Sequence, residues 1–170
     1  MERWSHIDGS GKARMVDVKG KRVTSRRAVA RGRVGFGDEA FLLLRENRLA
    51  KGDALVVARL AGIQAGKRTA DWIPLCHTIP LDHLDLDIVL EKETRSAIVT
   101  ARASASWTTG VEMEALVAVS AACLTLYDMA KAVDRGLRIT DIELVEKTGG
   151  RSGTWRRASA PARTASKGRR

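Results

Sequence analysis

Residues 109–134 constrain this chain more than any other segment. They form its longest helical pattern, with apolar members at Val111, Leu116, Val117, Ala121, Leu124 and Val133. The stretch 121–132 is rich in Ala, Leu and Met and is interrupted by Asp128 and Lys131. A helix this apolar must be covered, and the apolar members named above are expected to pack on a sheet. Thr109-Gly110-Val111-Glu112 has the form of a capping box at its start, and Arg135-Gly136 closes it.

The flanking pattern supplies that sheet. Residues 23–36 alternate loosely through Val23, Ser25, Ala28, Ala30 and Val34, which predicts a strand with basic residues on its polar side. Gly37-Asp38 breaks it, with Asp38 as N-cap of a short helix over 39–47. Lys51-Gly52-Asp53 marks a turn before an Ala-rich helix over 54–68, with Leu55, Ala58 and Ile63 at helical spacing. Pro74 disfavours helix at Ile73 and makes Ile73-Pro74-Leu75-Cys76-His77 a loop. Residues 84–91 and 97–106 read as a hairpin, and 137–146 as a last strand. The order is βαββαβ, an α+β plan with an antiparallel sheet and helices on one face. Aromatics are only 4% of the chain, so Ala, Val, Leu and Ile must build the core. At 170 residues one domain is expected: a mobile N-terminal arm over 1–20, a catalytic body over 21–153, and a basic, disordered tail over 154–170.

The net charge of +10 invites a basic nucleic-acid-binding module as the competing function. Its distribution argues otherwise. From Arg151 onward there are seven Lys or Arg and no acid, so residues 1–150 carry a net of only +3. A second basic run over 12–33 has nine Lys or Arg against Asp17, and suits a site for a small polyanion. One Tyr, two Phe and four Trp leave little for base stacking, and no nucleic-acid partner is expected. Two cysteines without a CxxC partner exclude a disulfide framework. The first 17 residues lack the apolar run of a signal peptide, and no stretch reads as a membrane span. A cytoplasmic protein with no membrane partner is expected.

Asp128 and Lys131, spaced i,i+3, share one helix face. On spacing alone the plainer reading is a modest ion pair; the functional one is an acid–base pair tuned by apolar surroundings. Glu112 and Glu114 suit a helix N-terminus, and could equally bind the amino groups of a purine- or pterin-like ring. His77 beside Cys76 has no second pair at metal spacing, so no metal site is expected and a substrate contact is the alternative to a structural role. Lys51, Lys67, Arg68 and Lys147 lie beside turns or element ends, where cations can meet phosphate or simply be solvated. Residues 147–153 lack the order of a phosphate-binding P-loop but suit a basic flap.

Six motifs in order carry a resemblance over about residues 4–153: Lys51-Gly52-Asp53, Ala61-Gly62-Ile63-Gln64-Ala65-Gly66-Lys67-Arg68-Thr69, Ile73-Pro74-Leu75-Cys76-His77, Thr109-Gly110-Val111-Glu112-Met113-Glu114-Ala115-Leu116, Tyr127-Asp128-Met129-Ala130-Lys131-Ala132-Val133 and Lys147-Thr148-Gly149-Gly150-Arg151-Ser152-Gly153. They resemble the molybdenum-cofactor biosynthesis protein C family, the cyclic pyranopterin monophosphate synthases. Thr78 departs from the family, which often has Pro there. The resemblance implies a ferredoxin-like fold and a homohexamer of three dimers with sites at subunit interfaces. It implies a phosphorus–oxygen lyase of molybdopterin biosynthesis that converts a 3′,8-cyclised dihydro-GTP into cyclic pyranopterin monophosphate and diphosphate. It makes Asp128 and Lys131 the catalytic pair. Lys51, Lys67, His77, Glu112, Glu114 and Lys147 would line one pocket with them. The Leu75–Cys76–His77 backbone and Met113-Glu114 would hold the substrate, and Arg26 of a neighbouring subunit would meet the triphosphate. No cofactor is required on this reading, although Mg²⁺ can accompany the triphosphate.

Overall fold

The computed structural model describes residues 10, 12, 15, 18 and 20–158. The element order is β1 (Thr24–Gly35), α1 (Asp38–Arg45), α2 (Ala54–Gly66), α3 (Thr69–Trp72), β2 (His83–Glu91), β3 (Ser96–Trp107), α4 (Glu112–Ala130), β4 (Arg138–Thr148) and β5 (Trp155–Arg156). The strands form one antiparallel sheet in the order β2-β3-β1-β4-β5. The βαββαβ plan is thus realised as an α+β fold, with a short fifth strand added at the β4 edge.

Two-residue periodicity sorts the strands into faces. Ala28, Ala30 and Val34 of β1 and Ala97, Val99, Ala101, Ala103 and Ala105 of β3 are buried under the helices. The alternate positions carry Arg27, Arg31, Arg33 and Arg102. Several of these charges are answered across the sheet, Arg31 by Glu143, Arg33 by Glu91 and Arg102 by Asp85. Small side chains on the sheet let α4 lie close over β1, β3 and β4, with α2 beside it.

The α2–α4 contact depends on glycine. A Cβ at Gly62 would collide with the Leu86 side chain and stand 2.8 Å from the Ala118 carbonyl oxygen. One at Gly66 would lie 3.0 Å from the Glu114 carbonyl oxygen. The two helices therefore meet backbone to backbone, which fixes the N-terminal end of α4 against the end of α2.

Several local expectations change. The Thr109 capping box does not form: Val111 is the N-cap residue of α4 and no side chain caps it. The carboxylate of Glu112 folds back over Gly110 instead, where a Cβ would block it. Asp38 is the first residue of α1 and not its N-cap; its carboxylate pairs with Arg95 at 2.9 Å. Helix α4 ends at Ala130, so Lys131 is its C-cap residue. Leu124 and Val133, expected against the sheet, are exposed, and Ala115, Ala118, Val119, Ala122, Cys123 and Leu126 are buried instead. Although no stretch read as a membrane span in the sequence, α4 is long and apolar enough to cross a membrane; it is a mostly buried core helix here. Within the stretch expected as tail, Trp155–Arg156 pairs with Glu146 and Lys147, and Arg157 Nε donates to the Leu144 carbonyl. Residues 159–170, and most of the expected arm over 1–20, lie outside the described residues.

Candidate active site

Helix α4 carries sequence-expected site residues at both ends. At its C-terminal end Lys131 Nζ lies 2.7 Å from Asp128 Oδ1. Lys51 Nζ approaches the other carboxylate oxygen to 2.6 Å and also donates to the Asp128 carbonyl at 2.9 Å. Lys51 is held there by the turn before α2: Gly52 adopts a positive φ of 94°, and Asp53 caps the helix by accepting from the Leu55 and Val56 amides. The result is one carboxylate between two ammonium groups.

The surroundings of this trio are not the apolar enclosure that acid–base tuning would want. Asp128 and Lys131 are each about half exposed, at 52% and 51%. The hydrogen bonds from Lys131 and then Lys51 hold the Asp128 carboxyl down at about 2. Its hydrogen bond to Asp128 in turn raises the Lys131 ammonium above its ordinary range. Both groups are therefore stabilised in their charged forms. Beside them runs an open groove of about 470 Å³, walled by Gln64, Arg68, Trp72 and Leu124. Lys67 lines the neighbouring concavity with Gln64 and Arg68.

The N-terminal end of α4 is built differently. Leu75, Cys76 and His77 of the loop after α3 face Glu112, Met113 and Glu114 across a cavity of about 400 Å³. Glu114 is only 3% exposed. Burial, reinforced by the neighbouring Glu112 charge, pushes its carboxyl up to about 7. Burial and Glu114 likewise raise the Cys76 thiol, which disfavours a thiolate nucleophile. This end thus offers a group that can exchange a proton near neutral pH and a hydrogen-bonding wall for a polar ring.

A second cleft, of about 660 Å³, opens from the same corner and shares Lys21, Thr109, Gly110 and Glu112 with the first. Arg26 and Lys147 line it, together with Arg22 and the loop 149–152. Arg26 Nε donates to the Trp107 carbonyl at 3.1 Å and Nη2 to the Thr108 carbonyl at 3.0 Å.

Within one chain, then, the sequence-expected residues fall into two groups. Leu75, Cys76, His77, Glu112, Met113, Glu114, Arg26 and Lys147 gather at one end of α4; Asp128, Lys131 and Lys51 gather at the other, with Lys67 nearby. The sixteen residues from Glu112 to Asp128 span about 24 Å of helix at 1.5 Å per residue. Among the described residues of one chain, the cavity of His77, Glu112 and Glu114 is separate from the groove beside Asp128 and from the concavity lined by Lys67. Sequence reasoning missed Lys21 and Gln64 at these sites. Lys21 is indistinct within the basic run, whereas Gln64 near the end of α2 and Arg68 just beyond it are close enough in sequence to give a usable signal. Among the described residues no three His, Cys, Asp or Glu side chains cluster to hold a metal ion.

Comparison with known proteins bears on these groups. A family model described as the MoaC family matches residues 15–150. A cyclic pyranopterin monophosphate synthase of Thermomicrobium roseum is 54% identical over 165 residues, which cover 97% of this chain and 99% of that protein. The synthase of Parvibaculum lavamentivorans is 54% identical over 155 residues, covering 91% and 97%. That of Chloroflexus aurantiacus is 51% identical over 153 residues, covering 90% and 94%.

Proposed function

The chain belongs to the MoaC family, and from that premise we propose that its reaction runs in sites shared between two copies of the chain. The activity is that of a cyclic pyranopterin monophosphate synthase, an enzyme of molybdenum cofactor biosynthesis with a pterin-type substrate. The observation that carries the shared-site reading is the separation along α4. No nucleotide-sized molecule can touch Glu112 and Asp128 of one helix about 24 Å apart and still be held closely by both. Two copies meeting with the C-terminal end of one α4 beside the N-terminal end of the other would complete each site. A two-fold pair makes two such sites, and three pairs make the expected hexamer.

In this reading the substrate is 3′,8-cyclised dihydro-GTP. Its purine-derived ring lies in the cavity of His77, Glu112 and Glu114, and the Leu75–Cys76–His77 loop and Met113 hold its edge. Opening and rebuilding that ring requires protons to move on and off nitrogen and carbon. Asp128 and Lys131 of the partner copy supply them, with Lys51 setting the charge of the pair. The ribose-derived hydroxyl then attacks the innermost phosphorus and diphosphate leaves. Lys67, Lys147 and Arg26 offset the charge that develops. Holding both ends of the substrate makes the closure intramolecular. Side chains carry this chemistry with no cofactor required, and any Mg²⁺ would come as a counter-ion of the triphosphate. Two free cysteines support the reading of such an enzyme as one of the reducing cytoplasm. The test is incubation with cyclised dihydro-GTP: diphosphate and the cyclic monophosphate should appear together, and folded protein that forms neither would sink the reading.

A further inference from the structure

The turn that carries Lys131 lies outside the core. Met129 and Ala130 at the end of α4 are buried, and so is Leu137 just before β4. Between these anchors Lys131, Ala132, Val133, Arg135 and Gly136 are exposed, and Asp134 is half-buried. Hydrogen bonds fix the path instead. The Lys131 amide donates to the Tyr127 carbonyl at 2.9 Å, and the Val133 and Asp134 amides both donate to the Ala130 carbonyl, at 2.9 and 3.1 Å. The Tyr127 hydroxyl donates to the Arg135 carbonyl at 3.2 Å.

Asp134 ties this turn to a distant part of the chain. Its Oδ1 accepts from the Gly136 amide at 2.7 Å, and its Oδ2 from the Gly37 amide at 2.8 Å. Gly37 is the N-cap residue of α1 and brings no side chain to cap it. A Cβ at Gly37 would stand 3.0 Å from Oδ2, and one at Gly136 3.1 Å from Oδ1, so both glycines leave the carboxylate the room it uses. An acid just past the C-terminal end of α4 meets the unfavourable pole of that helix; the same acid at the start of α1 meets the favourable one. Beyond α1 the chain runs through buried Leu49 to Lys51, whose Nζ reaches the Asp128 carboxylate. Asp134 thus joins the two segments from which Lys131 and Lys51 approach Asp128.

We propose that Asp134 is a positioning residue of the reaction: by bridging the Gly136 and Gly37 amides it holds the 131–136 turn in the path that keeps Lys131 Nζ against Asp128. The inference rests on the reading of Asp128 and Lys131 as the acid–base pair, and it adds a group that acts through Lys131 and not on the substrate. Asp134 lies outside the six motifs that carry the family resemblance. Lys131 is the C-cap residue of α4, so only one side of it belongs to a helix. Without the bridge the turn keeps its bonds to Tyr127 and Ala130 but loses its fixed direction relative to α1. The half-exposed Lys131 side chain then spreads over more conformations, and its 2.7 Å contact with Asp128 is made for less of the time. A proton-transfer pair displaced by about 1 Å loses turnover steeply while binding is little changed.

The experiment uses the full chain with Asp134→Ala and Asp134→Asn. Turnover of cyclised dihydro-GTP gives kcat and KM, and carbon-detected NMR titrates the Asp128 and Glu114 carboxyls. Asp134→Ala should lower kcat about tenfold with KM within about twofold of wild type. Its Asp128 carboxyl should rise from about 2 to about 3 as the Lys131 hydrogen bond loosens, while Glu114, at the far end of α4, stays at about 7. Asp134→Asn keeps one acceptor and should recover part of both changes. An unchanged kcat would overturn the proposal, and so would a lower kcat with the Asp128 carboxyl unmoved. A shift of Glu114 together with Asp128 would overturn it too, because that marks a general loss of structure. If Asp134→Ala does not fold, Asp134→Asn decides: kcat about threefold down with the same carboxyl rise supports the proposal, and wild-type values overturn it. Absence of turnover by the wild-type protein would instead defeat the acid–base reading, and the titration would still decide whether Asp134 holds the pair.

Discussion

If each site joins the N-terminal end of one α4 to the C-terminal end of another, two inactive variants should rescue one another. Asp128→Asn removes the carboxylate between Lys51 and Lys131. Glu112→Gln removes the charge at the other end of the helix, about 24 Å away. Loss of a general acid–base group costs roughly 10²- to 10⁴-fold, so Asp128→Asn should retain at most about 1% of wild-type turnover, and Glu112→Gln is expected to be similarly impaired. Equal amounts are mixed, dissociated in mild denaturant and reassembled. Random pairing makes about half of the pairs mixed, and each mixed pair has one site with both substitutions and one with neither. About one quarter of wild-type diphosphate release should return, a rise of roughly 25-fold over either variant alone. A site contained in one chain gives only the mean of the two parents. Reassembled mixtures that stay at that mean, while a wild-type control recovers, would refute the shared site.

Three further outcomes follow from the geometry. Burial holds Glu114 at about 7 in the folded chain against an ordinary value of 4.5, so between those pH values the native state keeps a proton that the unfolded chain has lost. Stability should therefore fall as pH rises through that window, by roughly 3 kcal/mol in full. Glu114→Gln should lack the decline, and denaturant melts of the two proteins that run parallel from pH 4.5 to 8 would contradict the burial argument. Lys51→Met removes one of the two ammonium groups on Asp128 and should let its carboxyl rise from about 2 toward the ordinary range; carbon-detected NMR titration reads this directly, and an unmoved value would dissolve the Lys51 contact. Gly62→Ala drives a methyl into Leu86 and the Ala118 carbonyl and should cost about 1–3 kcal/mol of unfolding free energy. A loss below about 0.5 kcal/mol would mean that the α2–α4 contact is looser than described.

The long elements were legible because their periodicity is strong. Alternation through Ala28, Ala30 and Val34 marks β1, and the Ala-rich run of α4 has no other stable use than core. Helix ends were less so. A capping box is only an opportunity, and Glu112 uses its carboxylate on Gly110 instead. The four-residue helix α3 was missed because Pro74 two residues on reads as a loop signal and the segment is too short to show a period. At the site, the Asp128–Lys131 pair follows from spacing on one helix. Its second partner, Lys51, is 77 residues away and only the fold brings it there. The motif resemblance gathered these side chains into one list but could not say which end of which copy each belongs to. Helical rise alone separates Glu112 from Asp128, and that arithmetic was available in the sequence all along.

The charge state of the C-terminal trio bears on why two copies would be needed. In the single chain Asp128 is anionic and Lys131 cationic far beyond neutral pH on either side, because each holds the other. Such a pair is a poor proton carrier: the best general acid or base titrates near the working pH. Glu114, at about 7, is poised, but it sits at the opposite end of the helix. Docking a second copy over the exposed trio would withdraw water from Asp128 and disfavour its anion. Polar groups of the arriving ring would compete for the Lys51 and Lys131 donors and release the carboxylate from them. Both changes move Asp128 upward, toward exchange, and they act together only when the assembled site holds substrate. If the pair is the acid–base group of the proposed reaction, its open form is the resting one, and assembly and substrate together would switch it on.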